Sequence, residues 1–111
     1  MMLDDLRAAL AVFQPVDERE KGFVVRMQNL LATTPEPTSR KQFDPGHFTA
    51  SAFVLSPDRR RILLIFHDKL ERWLQPGGHI DAEDASLFGA ALRELREETG
   101  LLEQDVEARQ P

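Results

Sequence analysis

The hydrophobic period of this chain changes after Pro45-Gly46, and the change divides it into a helical front and a strand-bearing remainder. Before that point Leu3, Leu6, Leu10 and Phe13 fall on one stripe of a helix that Pro15 ends. A second helix is expected from Asp17, where Glu20 three residues on makes a capping-box-like pair. Phe23, Val24, Met27, Leu30 and Leu31 then follow at helical spacing. Pro35 and Pro37, set among Thr33, Thr34, Thr38 and Ser39, mark a linker. These helices read as an accessory that packs against a sheet or caps a partner. After Pro45-Gly46, Phe48 to Leu55 and Arg61 to Phe66 are rich in β-formers. The turn Ser56-Pro57-Asp58-Arg59-Arg60 between them predicts a β-hairpin, with Pro57 at a favourable turn position. Residues Glu71 to Leu74 lead through Gln75-Pro76 into Gly77-Gly78. A strong helical pattern then spans Asp84 to Thr99 and stops at Gly100, a suitable C-cap. No internal repeat is evident, and the tail after Leu102 is polar.

Composition narrows the function classes. A chain of 111 residues with 41% hydrophobic content builds one small domain at most. Its net charge of −5 argues against non-specific binding to nucleic acid, because phosphate backbones are held by Lys and Arg. It leaves open an enzyme acting on phosphates, since divalent metals bridge an acidic site to an anionic substrate. Without cysteine, disulfides and thiolate ligands are excluded. No apolar run approaches the roughly 20 residues that span a bilayer, and the start lacks the basic end of a signal peptide. A protein of the cytoplasm, without membrane partners, is the expectation.

The chemistry concentrates in one helix. Phe88, Ala91, Leu92, Leu95 and Thr99 fall on an apolar arc, and Glu94, Glu97 and Glu98 share the adjacent arc at i, i+3 and i+4. Three carboxylates on one face repel, and they lie in the last turns, where the helix dipole disfavours negative charge. A hard divalent cation would compensate, since Mg²⁺ takes oxygen ligands. Glu-rich faces are also commonly solvated, and Arg93 and Arg96 could neutralise this one. The preceding Gly77-Gly78 loop permits close backbone approach and can offer a carbonyl to a metal or amides to a phosphate.

Taken together, Gly78 through Leu101 resembles the Nudix box, G-x5-E-x7-R-E-U-x-E-E-x-G-U with U aliphatic. The stretch Arg93-Glu94-Leu95-Arg96-Glu97-Glu98-Thr99-Gly100-Leu101 fits without a mismatch, and Leu74-Gln75-Pro76-Gly77-Gly78-His79 also looks like the family. Asp84 stands where the first Glu is expected, and one extra residue then precedes Arg93. The resemblance implies an α/β fold, an α/β/α sandwich around a mixed sheet, and a hydrolase of nucleoside diphosphate derivatives or related pyrophosphates. It implies Mg²⁺, with Mn²⁺ as a substitute, held by Glu97 and Glu98. Glu94 would be a further ligand or catalytic carboxylate, and the Gly77 carbonyl would complete the inner shell. Arg93 would orient a carboxylate. Gly78 and His79 are candidates for contact with a small-molecule nucleotide or pyrophosphate substrate, and Asp84 for a structural position of the box.

The expected organisation is a helical accessory segment and linker over 1–38, then a partial Nudix domain over 39–111 carrying the hairpin and the box helix. Only 102–111 follow the box, with Glu103, Asp105 and Glu107 as loose acidic candidates, so a truncated form and association between copies are expected. A second hypothesis is a non-catalytic binding or interaction module that retains the box. His79 reads either as a phosphate contact or as a structural, solvent-facing loop residue. Trp73 reads either as a base-stacking ring or as core.

Overall fold

The computed structural model describes residues 2–109, and its contacts divide the chain into two units. One unit joins residues up to Phe48 with His79–Leu87; the other joins Thr49–Gly78 with the chain from Phe88 onward.

In the first unit α1 (Met2–Val12) packs on α2 (Glu18–Thr33) and the two bury Leu6 and Leu31. The Phe13 amide still donates to the Ala9 carbonyl at 3.1 Å, so helical bonding stops shortly before Pro15. Asp17 is the N-cap of α2, and its Oδ1 accepts from the Glu20 amide at 2.8 Å. The reciprocal bond differs from the capping box: Glu20 Oε1 accepts from the Val16 amide at 3.1 Å, one residue before the cap. The last turn is closed by the Thr33 and Thr34 hydroxyls, which donate to the Asn29 and Leu30 carbonyls at 2.6 Å. Of the expected stripe, Leu31 is buried, whereas Phe23 and Met27 remain half-exposed and line an open groove with Leu30 and Pro45. The Pro-rich linker is ordered by turns: Ser39 donates to the Glu36 carbonyl and Gln42 to that of Ser39, both at 3.0 Å.

β1 (Thr49–Ser51) pairs with β4 (Gly77–His79), of which Gly77 and Gly78 belong to the second unit, and in that unit β2 (Ile65–His67) pairs antiparallel with β3 (Arg72–Leu74). Ile65 lies opposite Leu74, Phe66 opposite Trp73 and His67 opposite Arg72. The expected hairpin is present in shortened form. Leu55 bridges Ile62, and the Leu63 amide donates to the Val54 carbonyl at 2.8 Å. The front of the same β-rich run is drawn into the β1–β4 pair, where Gly77 permits close approach. The β2–β3 hairpin is a second one that the sequence does not announce, since Asp68-Lys69-Leu70-Glu71 carries no Gly or Pro. Glu71 takes the positive φ of 53° that the turn demands, and the Leu70 amide donates to His67 Nδ1 at 3.1 Å.

α3 runs Leu87–Thr99, starting three residues after the expected Asp84. Asp84 Oδ2 instead accepts from the Asp81 amide at 2.8 Å while the Asp84 amide donates to the Asp81 carbonyl at 3.1 Å. This local turn competes with helix. At the far end the Gly100 amide donates to Arg96 O at 2.8 Å with φ of 79°, the C-cap read from the sequence. α3 buries Ala90 and Leu95, while Phe88, placed on the apolar arc, is half-exposed. The tail adds a short 3₁₀ turn over Glu103–Asp105, where Asp105 Oδ2 accepts from the Leu102 amide at 2.8 Å. The α/β organisation is therefore present, but the described strands pair two by two rather than in one mixed sheet. Among the described residues no helix is long and apolar enough to cross a membrane.

The first hairpin turn closes as Pro57 suggests, with the Arg59 amide donating to the Ser56 carbonyl at 2.8 Å. The Ser56 hydroxyl donates to Asp58 Oδ1 at 2.6 Å, and the Arg60 amide donates to the same oxygen at 3.0 Å. Both bonds favour the charged carboxylate and hold Asp58 below its ordinary carboxylate value, the Ser56 hydroxyl most strongly. Because the folded value is depressed, the stabilisation is complete above the ordinary carboxylate range and is lost as pH falls through the folded value. An NMR titration should show the Arg60 amide resonance following Asp58 with a midpoint below that of a solvated aspartate, and Asp58→Asn should abolish the inflection. A midpoint at the ordinary value would contradict the arrangement.

Candidate functional site

The site is built where the Gly77-Gly78 loop passes the end of α3, and two missing side chains make the approach possible. A Cβ on Gly77 would lie 2.5 Å from the Ser51 Cβ and 2.7 Å from the Ala50 carbonyl oxygen. A Cβ on Gly78 would lie 2.7 Å from Glu94 Oε2 and 2.8 Å from its Oε1. Gly77 thus admits the neighbouring strand, and Gly78 admits a carboxylate. Neither needs glycine for a positive φ; the requirement is space.

The charged groups of α3 follow from helical spacing. Arg93 Nη1 donates to Glu94 Oε1 at 3.0 Å and to Glu97 Oε2 at 3.2 Å, so one guanidinium spans two of the three acids. The Arg93 and Glu94 side chains are only 17% and 12% exposed, whereas Glu97 is about half exposed. The inner pair therefore sits in a poorer solvent and is held more firmly than the outer contact. Glu98 turns toward the loop, where its Oε2 accepts from the Gly77 amide at 3.1 Å. Loop and helix are thereby joined twice, by packing of Gly78 on Glu94 and by the Gly77–Glu98 hydrogen bond.

The structure brings Arg93, Glu94, Glu97, Glu98, Gly77 and Gly78 into this one cluster. The chemistry of its oxygen donors fits a hard divalent cation. Among the described residues, however, no group of three or more His, Asp or Glu is drawn together closely enough to hold a metal. Glu94 and Glu97 are bonded to Arg93, and Glu98 to the Gly77 amide. Asp84 lies in its turn before α3, in the other unit.

His79 also belongs to the other unit, where its Nδ1 lies 3.2 Å from Nε2 of His47. His47 Nδ1 lies 3.0 Å from the Gln42 carbonyl, which can only accept. With neutral rings, His47 Nε2 therefore accepts from the Nδ1–H of His79. His47 carries no sequence signal for this, because the two residues are 32 apart. Trp73 is 65% exposed, which corrects its reading as core. Its ring meets Phe66 edge-on, with centroids 5.3 Å apart, in a cross-strand pair that needs no burial. The tie between Glu98 and the Gly77 amide likewise has no periodic signature.

A family model of the NUDIX domain matches residues 45–110, which takes in the hairpins, the glycine loop and α3. No match is found among curated proteins.

The two glycines should fail differently. Gly77→Ala meets backbone and should cost about 1–3 kcal/mol of stability. Gly78→Ala meets only the movable end of Glu94 and should cost less than about 1 kcal/mol, while shifting the Glu94 side-chain carboxyl resonance. Thermal unfolding and carbon NMR would measure both, and equal destabilisation by the two substitutions would contradict this division.

Proposed function

The chain belongs to the Nudix family, and from that premise we propose that it is a magnesium-dependent hydrolase of nucleoside diphosphate derivatives or related pyrophosphates, acting in the cytoplasm. The observation that carries this reading is the double attachment of the glycine loop to the acidic face of α3, through Gly78 against Glu94 and Gly77 against Glu98. That attachment supports a site in which loop backbone and helix carboxylates act on one ligand. Residues 39–111 are assigned to the hydrolase portion and 1–38 to the helical accessory segment.

In this proposal Glu97 and Glu98 are the principal ligands of Mg²⁺, with Glu94 and the Gly77 carbonyl beside them, and Mn²⁺ can substitute. The bound cation supplies charge neutralisation for the diphosphate and a place for the attacking water. Glu94 either contributes a ligand oxygen or accepts the water proton as the new phosphorus–oxygen bond forms and the bridging oxygen leaves with the second phosphate. Arg93 positions Glu94, to which it is bonded at 3.0 Å in a largely buried pair. Gly78, which leaves room for the Glu94 carboxylate, and His79 are the candidates for contact with the substrate phosphates. Water is the attacker in this reading, since the chain has no Cys and none of Arg93, Glu94, Glu97, Glu98, Gly77 and Gly78 carries a hydroxyl or thiol. The Arg93 bridge across Glu94 and Glu97 favours a second reading, a binding module in which those carboxylates stay paired and no turnover occurs.

Calorimetry with Mg²⁺ and Mn²⁺ should detect binding by the chain, and Glu97→Gln combined with Glu98→Gln should abolish it. Binding that survives in the double variant removes these residues as ligands.

Turnover separates the two readings. A panel of nucleoside diphosphate sugars, dinucleoside polyphosphates, dinucleotide cofactors and oxidised nucleotides should contain a substrate cleaved at its anhydride in the presence of Mg²⁺. Glu94→Gln should then lower kcat by roughly 10²–10⁴-fold with the fold intact. Arg93→Ala should cost roughly 10–100-fold. Metal binding without cleavage of any member selects the binding module, and undiminished kcat in Glu94→Gln removes that residue from the chemistry.

A further inference from the structure

In the second unit residues 62–67 take part in two pairings, the Leu55–Ile62 bridge and the β2–β3 ladder, and the side chains of these segments divide between two faces that are both apolar. The Leu63–Val54 hydrogen bond and the Leu55–Ile62 bridge set the first register, and Phe66 opposite Trp73 sets the second. Side chains alternate across a strand. One face therefore carries Val54, Leu63, Ile65 and Leu74, all of them partly buried. The other carries Phe53, Leu55, Ile62, Leu64, Phe66 and Trp73, and all six are exposed, Phe53 to 73%. A sheet that meets water on one side alternates apolar with polar, whereas strands covered on both faces read as continuous apolar runs. Residues 62–66 are such a run, Ile-Leu-Leu-Ile-Phe.

We infer that this second face is an interface between two copies of the chain, packed face to face about a two-fold axis. Its extent supports a second copy. The six side chains leave on the order of 600 Å² of apolar surface in water, at the upper limit for a monomer and most of the roughly 800 Å² that each partner contributes to a standard interface. The patch contains no charged side chain, so it is complementary to itself, as an isologous contact requires. Charge at its ends sets the orientation. The turn at one end holds Arg59, Arg60 and Arg61 against a single acid, Asp58, whereas Asp68, Lys69, Glu71 and Arg72 at the other end balance. A two-fold axis across the strands separates the two arginine-rich turns and brings each over the balanced end of its partner. Two sheets stacked in this way interdigitate their inner side chains about 10 Å apart.

The lone tryptophan reports directly on this face. Sedimentation equilibrium of the chain should show a dimer, and raising the concentration through the transition should shift Trp73 emission to the blue and lower its acrylamide quenching several-fold. Phe53→Glu with Leu64→Glu should return a monomer with exposed Trp73 emission. Because two charges could disturb the strands, cross-linking gives a milder check. The chain has no cysteine, so Leu64→Cys places one thiol at the patch centre. Mild oxidation should then give a covalent dimer, whereas Lys21→Cys on α2 should not. A monomer at all concentrations, a dimer in which Trp73 stays fully quenchable, or cross-linking of Leu64→Cys no faster than of Lys21→Cys would each overturn the inference. Capture of a different macromolecule on this face, with no dimer formed, would overturn it as well.

Discussion

The close approach of Gly77 to Ser51 and Ala50 is the contact on which the second unit depends. It lets β4 lie beside β1, and the register of that pair decides where the next residue, Gly78, meets α3. Ala50 is buried at this contact, and Ala90 and Leu95 supply the buried side of α3. Among the described residues of this unit the buried hydrophobic side chains are thus two alanines and one leucine, so close contact matters more there than volume. A methyl group at Gly77 would meet main-chain atoms, which cannot swing away as the end of a glutamate can. Geometry that looks local to a loop therefore governs the strand, the helix and the charged groups between them.

The acidic face of α3 poses an electrostatic problem that the chain solves in two ways. Arg93 lies within one helical turn of two acids and neutralises them from the same element. Glu98 is satisfied from outside by a backbone amide, a donor with no charge of its own. Charge-assisted bonds of this kind are stronger than neutral ones, and the partial burial of Glu94 and Arg93 strengthens theirs further. The pair also places a cationic group among the carboxylates proposed to receive a metal. A cation that takes Glu94 and Glu97 must compete with an internal guanidinium.

Residues whose partners lie one helical turn away were legible in the sequence. The Glu94, Glu97, Glu98 and Arg93 spacing, the Asp17 cap with Glu20, and the Gly100 stop all follow from a fixed helical period. The turn at Ser56–Arg61 was legible because Pro57 fixes one dihedral angle. Legibility ended where partners are distant or where two bonding patterns compete. The β2–β3 hairpin lacks turn residues, and Glu71 adopts its positive φ without a glycine to signal it. Asp84 fits a helix by pattern, yet its side chain captures the Asp81 amide and delays α3 to Leu87. Trp73 and Phe88 are large and apolar, but the described residues do not cover them, and hydrophobicity alone does not say what lies opposite.

The pairing of β1 with β4 closes a loop that contains both hairpins. Within it the contacts of Leu55 with Ile62 and of Phe66 with Trp73 join near neighbours, and hairpins of this length form in about 1–10 μs. Bringing Ser51 to Gly77 costs chain entropy that the two hairpins, once formed, reduce. Loop-closure entropy therefore favours the local hairpin contacts over the closure of β1 on β4. A chain without that closure would leave Glu98 lacking its backbone donor, while Arg93 would stay beside Glu94 and Glu97 on the same helix.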